Sequence, residues 1–481
     1  MEPLIEIGKK AVNHAQTLGA DEAEVFLYME KQASVKFVGG IFASRTDAVK
    51  GLKGSFARIA EPWLKKKGLP IINSGTRAGV GVRTVSNKAI GFTSVSSVEE
   101  KKVLDAVEEA VKIAKVRPPD PNWVSLPDFE KLSGEGGVFD EKVSGFDVEE
   151  MLRQSVDCCV AAGDVDKRIV NVMSMVLASA ASFGVVSTSG IETFDRRTVF
   201  TAGMDVKAKS GSEEVSSGDL VYSRTYVKDL QSMAVKAGKK TVECLGKKPL
   251  AAKYVGPVVF ENMSWSELFS TIFTYGISAS NVQENRSVYK GKLGNTVASE
   301  GLSVVDDGTL PEGLGTAKTD DEGVPRQKTT VVEKGVLQGF LFDNYSAKRE
   351  SGRSTGNASR QRAFASVAYA NQPMIAPSNL VLVQGKGDVE GLVREMKDGV
   401  LVKGYLVGAG HSNAVTGDFS VTAGGAFKVE NGAVAFPLKP CTVAGNLYEA
   451  LKNIVVIGSD SKNFGSVICP SVVIDKVVVS T

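Results

Sequence analysis

Runs of alternating apolar and polar residues, closed by turns that often carry glycine, recur along most of this 481-residue chain. That pattern constrains the fold most, because a period of two suits a half-buried strand and not a helix. Composition agrees. Glycine is frequent at 50 residues, proline ordinary at 16, and aromatics only 7%, which favours β-rich structure with many turns over a helical bundle. The length exceeds the usual reach of one hydrophobic core, so two domains are expected.

The first segment reads as a helix followed by strands. Leu4, Ile7, Ala11, Ala15 and Leu18 recur at helical spacing, and Gly19 is a natural stop. EAEVFLYMEK and ASVKFVGGIFAS follow as hairpin-like runs. Residues 50–75 break the pattern and read as an insertion, and AGVGVRTVSNKAIGFTSV is a second hairpin turning near Ser86 and Asn87. Ser97 and Glu100 read as a capping box for a helix carrying Leu104, Val107, Val111 and Ala114, which RPPDPNW ends. After a glycine-rich stretch near 133–145 comes a helix over about 147–162. Three strand-like runs follow (RIVNVMSMVLASA, FGVVSTSGIETFD, RTVFTAGMDVKAKS), then a helix with Leu230, Met233 and Ala237. GKKPLAAKYVG reads as a linker, so the expected domains are 1–245 and 246–481.

The second half changes character. One strand (PVVFE, 257–261) enters one apolar helix over about 264–279. Short strands and turns follow: GLSVVDDG, QKTTVVEKGVLQGFLFD, NLVLVQG, GYLVGAG, GAFKVENGAVAFP, NIVVIGSD and SVVIDKVVVS. VEKG, VENG and GSDS are hairpin signals. The expected fold class is α+β: an N-terminal helix-plus-β-hairpin domain, then a β-rich, barrel- or sandwich-like antiparallel C-terminal domain.

Charge and histidine narrow the chemistry. Net charge is +2 with the signs interspersed, and the longest lysine run is Lys65 to Lys67. A polyanion footprint is missing, so direct nucleic-acid binding is disfavoured. Cys158, Cys159, Cys244, Cys441 and Cys469 form no CxxC, and a reduced, cytoplasmic setting is expected. The first twenty residues lack the apolar core of a signal peptide, and no stretch is apolar enough for a membrane helix. Only two histidines occur, His14 and His411. No HExxH, HExxxH or HxH pair can be written, which excludes the usual helix-borne zinc site. A Ser-His-Asp or Cys-His arrangement is left at most one base.

Other motifs are weaker. GVGVR (79–83) lacks the GxGxxG spacing and following helix of a dinucleotide site, and the serines of STSG and GDFS fit no nucleophile elbow. Asp306-Asp307 and Asp320-Asp321-Glu322 are paired carboxylates of the kind that bind cations or perform acid–base work. DDG and DEG are also turn formers, and turn chemistry is the expected role. RSTGNASR (353–360) has short side chains whose backbone can approach a substrate or partner closely. The loop GAGHSNAVTGDF holds His411, Asn413 and Thr416, read as ligand-facing or, by preference for His411, as a turn. His14 reads as a surface or boundary residue of the first helix.

Several of these runs together resemble the TldD/PmbA family (TldD/TldE, also described as modulators of DNA gyrase). Near the N-terminus they are GVGVR and AIGFTSV. Over residues 254–481 they are VVDDGTLPEGLGTAKTDDEGVPRQKTTVVEKGVLQGFLFDNYSAKR, RSTGNASR, NAVTGDFSVTAGGAFKVENG and AGNLYEALKNIVVIGSD. The resemblance is weaker over 1–245, and the 50–75 segment departs from it. In that family TldD-like members carry HExxxH on the helix after the strand that opens the second domain, use a cysteine near the C-terminus, and hydrolyse peptides. PmbA (TldE)-like members lack the motif and pair with a TldD-like subunit. Here the helix reads ENMSWSELFSTIFTYG, with no histidine within 100 residues of Glu267. Glu267 alone cannot hold Zn²⁺ and activate water.

The resemblance therefore implies a non-catalytic PmbA-like subunit with no cofactor of its own. Its partner would be a TldD-like metallopeptidase that carries the zinc, its substrate a peptide, and homodimerisation is also open. RSTGNASR lies near the active cleft in the family. The candidate cleft or partner contacts are Glu267, Ser354, Thr355, Gly356, Asn357, Arg360, His411, Asn413 and Thr416. Cys469, directly before Pro470, is expected to be a buried apolar thiol rather than a remnant ligand. The alternative is a stand-alone homodimeric peptide-binding protein, or a metal-independent hydrolase using Glu267 or the Asp320 cluster as base.

Overall fold

The computed structural model describes residues 2–40, 68–132, 136–362 and 367–481. Helix α1 (Glu2–Thr17) buries Ala11, Val12 and Ala15, and the chain leaves it at Gly19 with φ +84°, where glycine carries no steric penalty. Strands β1 (Glu22–Gly40), β2 (Gly68–Ser86), β3 (Ala89–Val95), β4 (Ile169–Ser187), β5 (Glu192–Ser210) and β6 (Glu213–Ser223) form one antiparallel sheet. Their order is β3-β2-β1-β4-β5-β6.

Four of these strands run 19 residues each, far beyond the usual five or six, at about 3.4 Å per residue. That length corrects the sequence reading. EAEVFLYMEK and the described part of ASVKFVGGIFAS, up to Gly40, are one strand, since Lys31, Gln32 and Ala33 keep register with Thr76, Gly75 and Ser74; residues 41–44 lie outside the described residues. Residues 68–75, read as part of an insertion, are the first half of β2; 50–67 lie outside the described residues. The three runs after the helix near 147–162 are two strands, because FGVVSTSGIETFD folds back at Thr188–Gly190. The serine-rich β6 has too little apolar alternation to be read. The β2–β3 turn holds Asn87 and Lys88 at φ 48° and 63°, the paired positive φ of a tight hairpin.

One face of β1 carries Val25, Leu27, Ala33, Val35 and Phe37, as the period of two requires. Helices α1 and α2 (Glu100–Val116) cover its first half, and α3 (Val148–Gly163) and α4 (Gln231–Glu243) its second. The proposed capping box is not formed. Glu99 occupies the N-cap of α2, and its N–H is bonded to Ser97 Oγ at 3.1 Å, so Glu100 sits one position into the helix and cannot reach back. The opposite face of the sheet, with Phe26, Tyr28 and Phe183, packs on Ala317, Ala368 and Tyr369 from the second half of the chain.

That second half holds β7 (Tyr254–Phe260), β8 (Val304–Asp307), β9 (Lys328–Glu333), β10 (Val336–Leu337), β11 (Ala358–Ser359), β12 (Met374–Ile375) and β13 (Leu380–Leu382). After them come β14 (Gly399–Val407), β15 (Asp418–Glu430), β16 (Ala433–Pro437), β17 (Thr442–Asn446), β18 (Ile454–Ile457), β19 (Lys462–Asn463), β20 (Val467–Cys469) and β21 (Val472–Ser480). The order β14-β7-β21-β17-β15 closes on itself through β14–β15 pairing, making a five-stranded barrel. A second sheet runs β10-β9-β8-β13-β20-β19. Neither is purely antiparallel as expected: β7 pairs with β14, and β13 with β20, in parallel. VEKG and VENG do form hairpins, with Lys334-Gly335 and Asn431-Gly432 at positive φ. GSDS does not, because β18 and β19 enter different sheets.

Helix α5 starts as Asn262–Leu268, widens into a π-turn over Phe269–Phe273 and ends with Thr274–Gly276. Trp265, Phe269, Ile272 and Phe273 are fully buried in the core of the second half, and Phe269 stacks on Phe273 at 4.4 Å. No helix among the described residues is long and apolar enough to cross a membrane.

Candidate functional site at helix α5

The helix that would carry the metal begins directly after β7, so its side chains look onto the neighbouring barrel strand β14. A kink in β14 between Lys403 and Leu406, with Gly404 at φ +73°, opens backbone groups toward it. Glu267 uses them: its Oε2 accepts the Leu406 N–H at 2.7 Å. Burial pushes the Glu267 carboxyl above its ordinary range, and the Leu406 bond opposes that. Glu261, at the start of the helix, accepts the Gly404 N–H at 3.0 Å and pairs with Lys240 of α4 at 2.7 Å. Tyr405 Oη donates to Asp205 of β5 at 3.1 Å, and Lys462 pairs with Asp219 of β6. The polar groups beside Glu267 thus fasten the first sheet to the barrel.

In an HExxxH pattern built on Glu267, positions 266 and 271 would hold the two imidazoles. Residues five apart stand about 140° apart around a regular α-helix and approach each other only where the helix widens. The π-turn overlaps this window, but the residues are Ser266 and Thr271. Both hydroxyls are used internally: Ser266 Oγ donates to Met263 O at 2.7 Å, and Thr271 Oγ1 to Glu267 O at 2.8 Å. Cys469 lies on β20 with its Sγ 3.5 Å from Asn262 O, fully buried, and burial drives its thiol well above the ordinary range. A metal ligand must be the thiolate. Among the described residues no group of three or more His, Cys, Asp or Glu could hold a metal ion.

The other sequence candidates fall in two places. In the 353–360 segment, Ser354 Oγ donates to Phe342 O at 3.1 Å and Thr355 Oγ1 to Asn357 Oδ1 at 2.6 Å. Gly356 has φ +70°, and a Cβ there would stand 2.5 Å from Pro325 O. Asn357 and Arg360 are wholly enclosed. Asn357 Nδ2 donates to Asp306 Oδ2 at 2.7 Å, while Arg360 pairs with Glu24 and donates to Asn371 O at 2.9 Å. In the other place, His411 ends an exposed 3₁₀ turn (Ala409–His411). Asn413 Oδ1 accepts the N–H groups of Val415 and Thr416, and Thr416 Oγ1 donates to Asp418 at 2.7 Å. His14 sits on α1, 3.6 Å from Glu108.

The acidic clusters organise loops from inside. Asp320 accepts the N–H groups of Glu322, Val324 and Ala358 at 2.9–3.0 Å, and Asp306 those of Ser378 and its hydroxyl. Burial pushes both carboxyls upward. Sequence reasoning missed Arg83 and Glu24. Arg83, in GVGVR, bonds Glu24 at 2.7 Å and Glu322 at 2.8 Å, and all three are buried. The available signal was an opposite-charge pair across two otherwise apolar strands, since Glu24 and Arg83 face each other in register.

Two family models match the chain: the PmbA/TldA metallopeptidase C-terminal domain over residues 252–481, and the PmbA/TldA metallopeptidase domain 1 over 68–114. Together they span more than half of it. An uncharacterized protein of Methanocaldococcus jannaschii is 28% identical, covering 85% of this chain and 91% of its own. The metalloprotease PmbA homolog of Haemophilus influenzae is 28% identical, covering 83% and 85%. Among solved structures, TldE from Thermococcus kodakarensis superposes with a TM-score of 0.83 at 23% identity, covering 99% of this chain and 100% of that one. A putative modulator of a DNA gyrase from Thermotoga maritima gives 0.81 at 23%, covering 99% of each. At these identities the two structures establish the fold alone.

Proposed function

We propose, because the chain belongs to the TldD/PmbA family of metallopeptidase-like proteins, that it is the metal-free member of a pair. It would be a PmbA (TldE)-like subunit that joins a TldD-like zinc peptidase and helps enclose the peptide being cleaved. The observation that carries this reading is helix α5. It keeps the glutamate and the wide turn that HExxxH spacing needs, yet Ser266 and Thr271 stand at the imidazole positions with their hydroxyls tied to backbone. Zinc needs three protein ligands and an open fourth position to activate water. Of that set only Glu267 and the buried Cys469, whose thiol burial holds protonated, are at hand, so the metal is assigned to the partner.

A cleft shared by two β-rich subunits can grip an extended peptide along a sheet edge, which requires one metal per pair. Cytoplasmic residence goes with this role. A metal-independent hydrolase has less support: Glu267 is bound to backbone, and Asp320 accepts three N–H groups inside the core.

The test is mixing. Size-exclusion chromatography of this chain with a TldD-like subunit should give one species at the summed mass. Two peaks at the separate masses across micromolar concentrations would refute the pairing.

A further inference from the structure

A cleft of about 400 Å³ opens beside the ion cluster, between the β2–β3 hairpin, the loop after α2 and the helix Asn344–Arg349. Its walls include Arg83, Asp120, Trp123, Glu322, Asp343 and Tyr345. Two buried donors in these walls lack partners, Trp123 Nε1–H and Arg83 Nε–H, and one carboxylate oxygen, Asp343 Oδ2, is free to accept. Asp343 is 7% exposed, and its Oδ1 accepts both the N–H and the hydroxyl of Ser346, at 2.8 and 2.6 Å. Its Oδ2 accepts no hydrogen bond. Trp123 is 3% exposed, and its Nε1–H has no acceptor.

The charge in the walls is unbalanced. Arg83 is the buried cation, and its Nη2 is committed to Glu24 and Glu322. Asp343 forms no ion pair and Asp120 adds a further carboxylate, against Arg117; Glu284 is already paired with Arg286 at 2.6 Å. A buried carboxylate without a counter-ion is costly, and a cation entering beside it removes that cost. The rings of Trp123 and Tyr345 lie 6.3 Å apart and tilted by 33°, which adds π surface at the same point.

We propose that this cleft binds an organic cation carried by a peptide: a primary ammonium or guanidinium group pairs with Asp343 Oδ2, and a neighbouring peptide carbonyl accepts from Trp123 Nε1–H. This inference concerns the chain by itself and does not depend on the pairing with a zinc subunit. The groups present explain the preference. An anion would meet the carboxylates of Asp120, Glu322 and Asp343, and a purely apolar ligand would leave Asp343 Oδ2 and the buried Trp123 Nε1–H unpaired.

Titration calorimetry of the full chain tests it with four amidated tripeptides. Three are N-acetylated with glycine at both ends and lysine, arginine or norleucine in the middle; the fourth is triglycine amide with a free amino terminus. At least one cationic probe is expected to bind about tenfold more tightly than the norleucine probe. Whichever cationic probe wins identifies the side chain or the amino terminus as the source. Asp343→Asn should weaken that probe about tenfold or more, and it keeps the helix cap because asparagine also accepts the Ser346 N–H. Trp123→Leu is the second variant and should weaken it about threefold or more. Equal binding of the norleucine probe, no binding by any probe, or wild-type affinity in both variants would overturn the proposal.

Discussion

Glu24 has the most demanding environment in the molecule. It is fully buried, faces Arg83 at 2.7 Å and pairs with Arg360, while burial pushes its carboxyl upward. Removing the charge by Glu24→Gln leaves two buried guanidiniums short of a partner. The expected loss is about 3–5 kcal/mol of stability, read from the urea midpoint. Asp343 gives a pH signature. Burial, with Glu322 next in weight, pushes it up to about 6 from an ordinary 3.8. A raised carboxyl favours the fold while protonated, so its contribution is complete below about pH 4 and gone above about pH 6, a difference of about 3 kcal/mol. Melting curves between pH 4 and 7 should decline less in Asp343→Asn than in the wild type by about that amount, the remaining decline coming from other buried carboxyls such as Asp320 and Asp306. Some of this scale was legible in the sequence. The two histidines rule out an HExxxH site, and the DEG cluster does serve turn geometry. The ion cluster was not legible, because Arg83 and Arg360 lie 59 and 336 residues from Glu24, and only the folded sheet brings them together.

At the scale of elements, local signals were readable and pairing was not. Asn87-Lys88, Lys334-Gly335 and Asn431-Gly432 all adopt the paired positive φ that hairpin turns demand, and these turns fall where the sequence places them. The 19-residue strands were broken up in the reading because their continuity rests on partners across the sheet, as with residues 68–75 of β2 against β1. The π-turn of α5 has no sequence signature at all; it emerges from packing Trp265, Phe269 and Phe273 on one core. Deleting Ser270 would remove the extra residue and close the wide turn into regular α-helix, displacing the side chains inside it. Ile272 and Phe273 would leave their sites, with an expected loss of about 3 kcal/mol or more, measurable as a lowered melting temperature by circular dichroism.

On the scale of the whole molecule, polar seams join the long sheet to the second half of the chain, and two of them are built on ion pairs. One runs from Glu24 and Arg83 to Glu322 and Arg360; the other runs from Asp205, Asp219 and Lys240 to Tyr405, Lys462 and Glu261. The second passes beside Glu267, so the place where the family's metal chemistry would sit is here part of the scaffold. The proposed role gives α5 of this TldD/PmbA-family chain the task of supporting a partner's zinc without holding its own. Its most direct test is peptide hydrolysis by this chain alone, by a TldD-like subunit alone and by the mixture, with zinc measured in each protein. The account predicts zinc in the TldD-like subunit alone and hydrolysis by the mixture but not by this chain. Hydrolysis by the purified chain with zinc bound one to one would contradict it.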